Sequence, residues 1–363
     1  MARDHYVPAS VLGRLSEESV SRARERRLVV GRRGKVFLAK AEDIGFTKAL
    51  YDVSSTRVWL PPGVEDPGSV DGMITGYEPE LPAVLDLLDD GARLQLRPWL
   101  RVLVPFVAAM FVRGRDFGGR FEGRPVVKAS GVSSRENTNG ARLLEMQRLL
   151  APVVCARWVV LHQAGRESFT VNDLGLMPTR DLGLQQDGFA IPIGRRSVLG
   201  IFPQSTRTVA CYDAGWQSII EHRFLDTTEV AGFNRSMAEC ATEWIAGAER
   251  EVIERGLQHL ADEPLDPAVI MERWPFDHQT RVTHDRDWHR LVSATDGDPA
   301  PEELPDLQIF DPSCMAGGWC PPIVFTLNMT ELPTGLRRVG RGIRLTLKTP
   351  DNYQDYFIRD EAR

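Results

Sequence analysis

Phe189-Ala-Ile-Pro-Ile-Gly-Arg-Arg-Ser-Val-Leu-Gly-Ile-Phe202 decides the fold class. Two apolar runs, Phe189 to Ile193 and Val198 to Phe202, are joined by Gly194-Arg195-Arg196, a hairpin-length connection. Parallel strands need a long crossover, so a link this short makes at least part of the sheet antiparallel. Upstream, Trp158 to Leu161 and Ser168 to Val171 are further β-like runs. Downstream the chain returns to helix. Asp226 and Glu229 have capping-box spacing, and Phe233, Met237, Cys240, Trp244, Ala248 and Val252 form a stripe that reads as one continuous core-facing helix. Strand and helix runs segregated in this way predict an α+β fold, with helices packed on a mixed, largely antiparallel sheet.

Outward from this centre, residues 1 to 53 hold Val11, Leu12 and Leu15 and two strand-like pieces, Arg27 to Gly31 and Lys35 to Leu38. Between Arg14 and Lys40 the chain is strongly basic, which reads as a solvated face. Residues 60 to 80 are dense in Pro and Gly and read as a long loop. Leu81, Val84, Leu85 and Leu88 then share one helical face, which Gly91 ends. A second apolar helix runs from about Trp99 to Val112, with Pro105 inside it predicting a kink or a late start. Gly114 to Ser134 reads as a connection, and Leu143, Met146, Leu149 and Leu150 mark a third helix. Beyond residue 262, Pro264, Pro267, Pro299, Pro301 and Pro305 punctuate a Pro-rich C-terminal extension in which Ile323 to Leu327 and Ile343 to Leu347 are strand-like. The reading divides the chain into an α+β domain over 1–262 and an extension or small β-containing domain over 263–363.

At 363 residues, 42% hydrophobic and 26% charged, the chain has material for a sizeable core, which excludes fibrous and disordered classes. A net charge of −6 gives no general attraction to nucleic acid or anionic membrane. Only five of the 44 basic residues are Lys, so an Arg skew from coding composition lowers the weight of any single Arg as a phosphate ligand. The odd, scattered set Cys155, Cys211, Cys240, Cys314 and Cys320 predicts reduced thiols. Cys314 and Cys320 are too far apart for a zinc knuckle. The N-terminus lacks a signal-peptide core, and the apolar run Val102 to Val112 is too short to cross a bilayer, so the expectation is a cytoplasmic protein with no membrane partner.

Three separated signatures share an order. They are Asp4-His5-Tyr6-Val7-Pro8, the apolar helix Phe106 to Arg113, and Ser168-Phe-Thr-Val-Asn-Asp173 followed by Ile191-Pro192-Ile193 and Asn234. Over roughly residues 4 to 250 this resembles the bacterial domain-of-unknown-function family number 4238, whose members begin with a His-Tyr-x-Pro segment. The chain departs from that pattern at Val171-Asn172-Asp173, where Thr-Ser-Asp is usual, and at Leu174-Gly175, where Asn-Pro is common. The resemblance supplies a map of positions, not a mechanism.

On that map an acid, a base and a cation stand out. His5 and Asp173 are read as acid–base groups and Arg113 as the cation that offsets substrate charge, with Tyr6, Asn172 and Asn234 as binding positions. Each has a structural alternative: local anchoring for His5, a turn for Asp173, a helix-dipole partner for Arg113. The expected function is a hydrolase or transferase acting on a nucleotide, nucleic acid or other anionic substrate. The competing reading is a non-enzymatic partner- or effector-binding protein of a defence or biosynthetic gene cluster. Arg157-x4-His162 has the spacing of certain helical ribonucleases, but its residues are β-formers. His278, His284 and His289 form a third, weaker candidate, for metal. The sequence names no cofactor and no oligomeric state, and no phosphate-binding loop or serine-hydrolase elbow is present.

Overall fold

A computed structural model describes residues 3–53, 70–92, 94, 98–115, 117, 133–154, 156–179, 188–202 and 220–263, and the backbone of four strands between 306 and 359. In chain order the strands are β1 (Arg3–His5), β2 (Arg27–Arg32), β3 (Lys35–Lys40), β4 (Phe46–Lys48), β5 (Arg157–Gln163), β6 (Val171–Asn172), β7 (Met177–Thr179), β8 (Gly188–Gly194), β9 (Ser197–Phe202), β10 (Glu221–Leu225), β11 (Trp244–Gly247), β12 (Asp306–Ile309), β13 (Phe325–Asn328), β14 (Gly342–Lys348) and β15 (Tyr353–Arg359). The α-helices are α1 (Ala9–Arg14), α2 (Asp71–Thr75), α3 (Leu81–Asp89), α4 (Val104–Val112), α5 (Ser134–Val154), α6 (Thr227–Glu239) and α7 (Arg250–Gly256). The fold is α+β with mostly antiparallel sheets.

The central sheet has the order β10-β5-β9-β8-β7. The β8–β9 hairpin turns at Arg195-Arg196, and only the β10–β5 pair is parallel. Alternation gives the sheet two apolar faces. Trp158, Val160, Leu199, Ile201, Phe189, Ile191 and Ile193 pack toward Leu81, Val84, Leu85 and Leu88 of α3 and the wholly buried α4. Val159, Leu161, Ala190, Val198 and Phe202 pack toward Val230, Phe233 and Met237 of α6. A second sheet, β3-β2-β11-β6, and the pair β1-β4 hold the N-terminal region. Strands β12 to β15 form a four-stranded antiparallel sheet of their own.

Two expectations are revised. The stripe from Phe233 to Val252 is not one helix. The Asp226 capping box opens α6, but the helix stops at Glu239, Trp244 moves into β11, and Val252 lies on α7. Apolar spacing fits both periods here, and the break falls where Thr242 and Glu243 are captured by a carboxylate, as described below. Asn234 sits within α6. Of the run Ser168 to Val171, only Val171 enters a strand. Pro105 is accommodated without ending the helix: a π-helical turn, Trp99–Leu103, precedes α4, with the Val104 N–H bonded to the Trp99 carbonyl. The missing Pro105 donor thus falls at the start of α4, where it costs little.

Much of the basic N-terminal stretch is engaged in ion pairs. Arg22 pairs with Glu25, Arg24 and Lys40 with Glu42, Arg27 with Glu18, and Arg33 with Asp262. No helix among the described residues is long and apolar enough to cross a membrane.

Candidate functional site

The residues singled out by the sequence have their polar atoms spent on the protein. Arg113 is 1% exposed; it donates to Tyr77 Oη at 2.9 Å, to Glu78, and to the backbone carbonyl of His5. It therefore anchors β1 from the end of α4. The His5 ring lies against Phe46 and 3.3 Å from the Glu42 carbonyl, and burial lowers its pKa below the ordinary histidine value. Tyr6 is buried, and its hydroxyl accepts from Trp244 Nε1 at 3.2 Å.

Asp173 closes a loop. Its carboxylate accepts from Thr242 N at 3.1 Å, Glu243 N at 2.8 Å and Thr242 Oγ1 at 2.9 Å. Burial still holds its pKa above the usual carboxylate range, because desolvation outweighs those donors. Asn172 spans its own turn, accepting from Leu174 N and donating to the carbonyls of Leu176 and Met237. Asn234 ties α6 to the segment before β6: Oδ1 accepts from Thr170 N, and Nδ2 donates to the Ser168 carbonyl and Glu167. None of the six lines the groove described next.

That groove, of about 860 Å³, lies at one end of the central sheet. The sheet register builds its wall. Phe224 on β10 is opposite His162 on β5, and His162 is opposite Ser197 on β9. Trp158, Val160 and His162 lie on one face by the period of two, so the row that forms the core further along ends in an imidazole where the core ends. His222 lies two residues before Phe224, on the same face. Across the groove, Arg14 at the end of α1 is bound to Asp86 and Asp89 of α3 and donates to the Ile193 carbonyl at 2.8 Å. Glu17, Glu18, Arg26, Asp90, Arg195 and Arg196 complete the rim.

The chemistry concentrates in the two imidazoles. His162 Nε2 is 2.8 Å from His222 Nδ1, and the ring planes differ by 15°. The centroid separation of 5.1 Å is what such a contact leaves once each ring's own radius is added. The rings therefore meet edge to edge through an almost linear hydrogen bond. Ser197 Oγ is 3.5 Å from His162 Nδ1, which leaves His222 Nε2 directed away from the pair. A hydrogen bond at this distance takes one proton between the rings, carried by either nitrogen. A second proton at that contact would set two N–H groups against each other, so the pair carries at most one charge. Burial lowers both pKa values below the ordinary 6.5; Asp89 opposes this at His162, while Arg196 reinforces it. Both shifts favour the uncharged pair, which is able to accept a proton.

The rim charges do not cancel at the opening. Asp86 and Asp89 are engaged by Arg14, Glu18 by Arg27, and Glu17 lies 3.9 Å from Arg195. The lining carries four arginines against five carboxylates, with Arg14 shared by two of the latter; among the described rim residues Arg26 and Arg196 have no carboxylate partner and Asp90 has no basic one.

His162 was visible in the sequence only within the Arg-x4-His spacing. Arg157 and His162 lie on one strand, an odd number of positions apart and hence on opposite faces; Arg157 is instead paired with Glu221. His222 and Phe224 went unread because Glu-His-Arg-Phe-Leu is too short and polar to stand out. Its i, i+2 pairing of two aromatic rings immediately before a capping box was the available signal. Among the described residues no group of three or more His, Cys, Asp or Glu is placed to hold a metal ion. His278, His284, His289, Cys314 and Cys320 lie outside the described residues. No family model, no curated protein and no solved structure matches the chain.

Proposed function

We propose that this groove is the active site of a hydrolase or transferase acting on an anionic ester, with His222 as the group that exchanges the reaction's proton. The observation that carries the reading is the 2.8 Å imidazole pair on the wall of a groove large enough for a small substrate. His222 Nε2 takes the proton of the attacking water, or of an acceptor hydroxyl in a transferase, as the new bond to the electrophilic centre forms. The imidazolium is stabilised because its Nδ1–H donates to His162 Nε2. Nε2 then returns the proton to the departing oxygen as that bond breaks, which restores the neutral pair. His162 is a positioning residue, and Ser197 orients its ring. Arg196 and Arg26 favour an anionic group at the rim. The reading moves the acid–base role from His5 and Asp173 to a second set of residues and keeps the substrate class.

The test is hydrolysis of bis(p-nitrophenyl) phosphate and p-nitrophenyl phosphate between pH 5 and 9. Turnover of at least one is expected, and His222→Gln should reduce kcat by about 100-fold or more, the scale of acid–base catalysis. His162→Gln should lower kcat less and displace the acidic limb of the pH profile. No turnover of either ester, or a His222→Gln enzyme within threefold of wild type, would overturn the proposal.

A further inference from the structure

Phe224 is 71% exposed, the most exposed large apolar side chain among the described residues, yet its ring is not isolated. It lies 5.2 Å from the His162 ring with an interplanar angle of 28°, on the rim of the groove. Its register neighbour across the parallel pair is His162, which fixes the strand beneath it. An exposed aromatic ring held from below has an open face for a second flat ring. Two residues along the same strand face, a rise of about 6.6 Å, is His222. Arg196 stands close enough to His162 to affect its proton affinity. Across the three strands the aromatic face, the His162 imidazole and the Arg196 guanidinium therefore follow one another, with His222 two residues back along the strand from Phe224.

We infer that Phe224 is a stacking subsite for the base of a nucleotide, whose phosphate lies across His162 at Arg196. This names the substrate class of the groove and rests on the reading above for the chemistry done there, though not for the binding. The spacing suits the ligand: Arg196 stands two strands across from Phe224, roughly 10 Å, so a base on the ring leaves about one ribose before a phosphate at the guanidinium. Three of the five lining carboxylates are bound to arginine, Asp86 and Asp89 to Arg14 and Glu18 to Arg27, which leaves Arg196 without a carboxylate partner. Base–aromatic stacking is worth about 1–3 kcal/mol by alanine substitution, or roughly 5- to 150-fold in affinity.

Calorimetric titration of the full chain with ADP, GDP, UDP, CDP, adenosine and pyrophosphate tests it. At least one nucleoside diphosphate should bind. Phe224→Ala should weaken it by about fivefold or more, and Phe224→Trp should restore it. Arg196→Ala should weaken the diphosphate but not adenosine, and pyrophosphate binding should be indifferent to Phe224. The inference falls if none of the four diphosphates binds in the millimolar range, or if Phe224→Ala leaves their affinity unchanged or weakens pyrophosphate equally. It also falls if light scattering shows Phe224→Ala converting a dimer to a monomer, since the ring would then seat a second copy. Nucleotide binding that is lost with Phe224 but unaccompanied by ester hydrolysis would sustain this inference and overturn the catalytic one.

Discussion

Replacing Asp173 with Ala separates a scaffold carboxylate from a catalytic one, and the structure sets the size of the effect. Three donors converge on it: Thr242 N, Glu243 N and Thr242 Oγ1. Hydrogen bonds to a charged group contribute about 1.5–3 kcal/mol each, so the low end for three is about 4.5 kcal/mol. Two effects reduce this. Thr242 and Glu243 are only part-buried, so water reaches their released donors. Removing a carboxylate whose pKa is raised by burial also relieves a desolvation cost. The expected loss is about 3 kcal/mol for Asp173→Ala and about 1 kcal/mol for Asp173→Asn, which keeps one acceptor. Urea denaturation with linear extrapolation measures both. The imidazole resonances of His162 and His222 should be unmoved in either variant, because Asp173 lies outside the groove. A loss below about 0.5 kcal/mol for Asp173→Ala, or displaced imidazole resonances in a folded Asp173→Asn protein, would refute the reasoning.

The histidine pair makes stability depend on pH. Folding lowers the pKa of His162 and His222, so below about pH 6.5 the unfolded chain binds more protons than the folded one. Their contribution is fully present above pH 6.5 and is lost as pH falls from there toward the folded pKa values. The slope is less than about 1.4 kcal/mol per pH unit for each ring. The double variant His162→Gln/His222→Gln should lose stability less steeply between pH 6.5 and 5, with His5 cancelling in the comparison; an unchanged slope counts against the pair. Gly13→Ala should be far more damaging than Gly34→Ala by chemical denaturation. At Gly13 a Cβ would lie 1.8 Å from the Ala23 carbonyl oxygen, whereas at Gly34 it meets nothing within 4 Å and costs only the strain of φ +83°. Equal losses would contradict the packing of α1. Asp226→Ala removes the side chain that accepts from Thr228 N and Glu229 N at the start of α6 and should cost about 1 kcal/mol in the same assay.

The fold was legible where local chemistry is unambiguous. The Gly194-Arg195-Arg196 link, the Asp226 capping box and the Leu81 to Leu88 stripe each satisfy one geometry, and the structure has all three. The stripe from Phe233 to Val252 misled because Trp-Ile-Ala-Gly is apolar at every position, so both periods fit it. What decides between them is Asp173, some seventy positions away, binding Thr242 and Glu243. The groove was less legible for the same reason. Ser197, His162 and Phe224 become neighbours only through the register of three strands, one pair of them parallel and about sixty residues apart in sequence. The His-Tyr and Asn-Asp signatures were conspicuous because they are dense in polar residues, and the structure spends those groups on joining the N-terminal strand, α4 and the β11–β6 edge.

The central claim, that His162 and His222 act as one proton-sharing pair in a ligand-binding groove, is tested most directly by nitrogen-15 spectra of the two rings, recorded from pH 5 to 8 with and without a nucleoside diphosphate. The account predicts a single proton taken up by the pair below the ordinary histidine range, with His222 Nε2 as the site that shifts on ligand addition. Two independent titrations near pH 6.5, neither responding to the nucleotide, would contradict it.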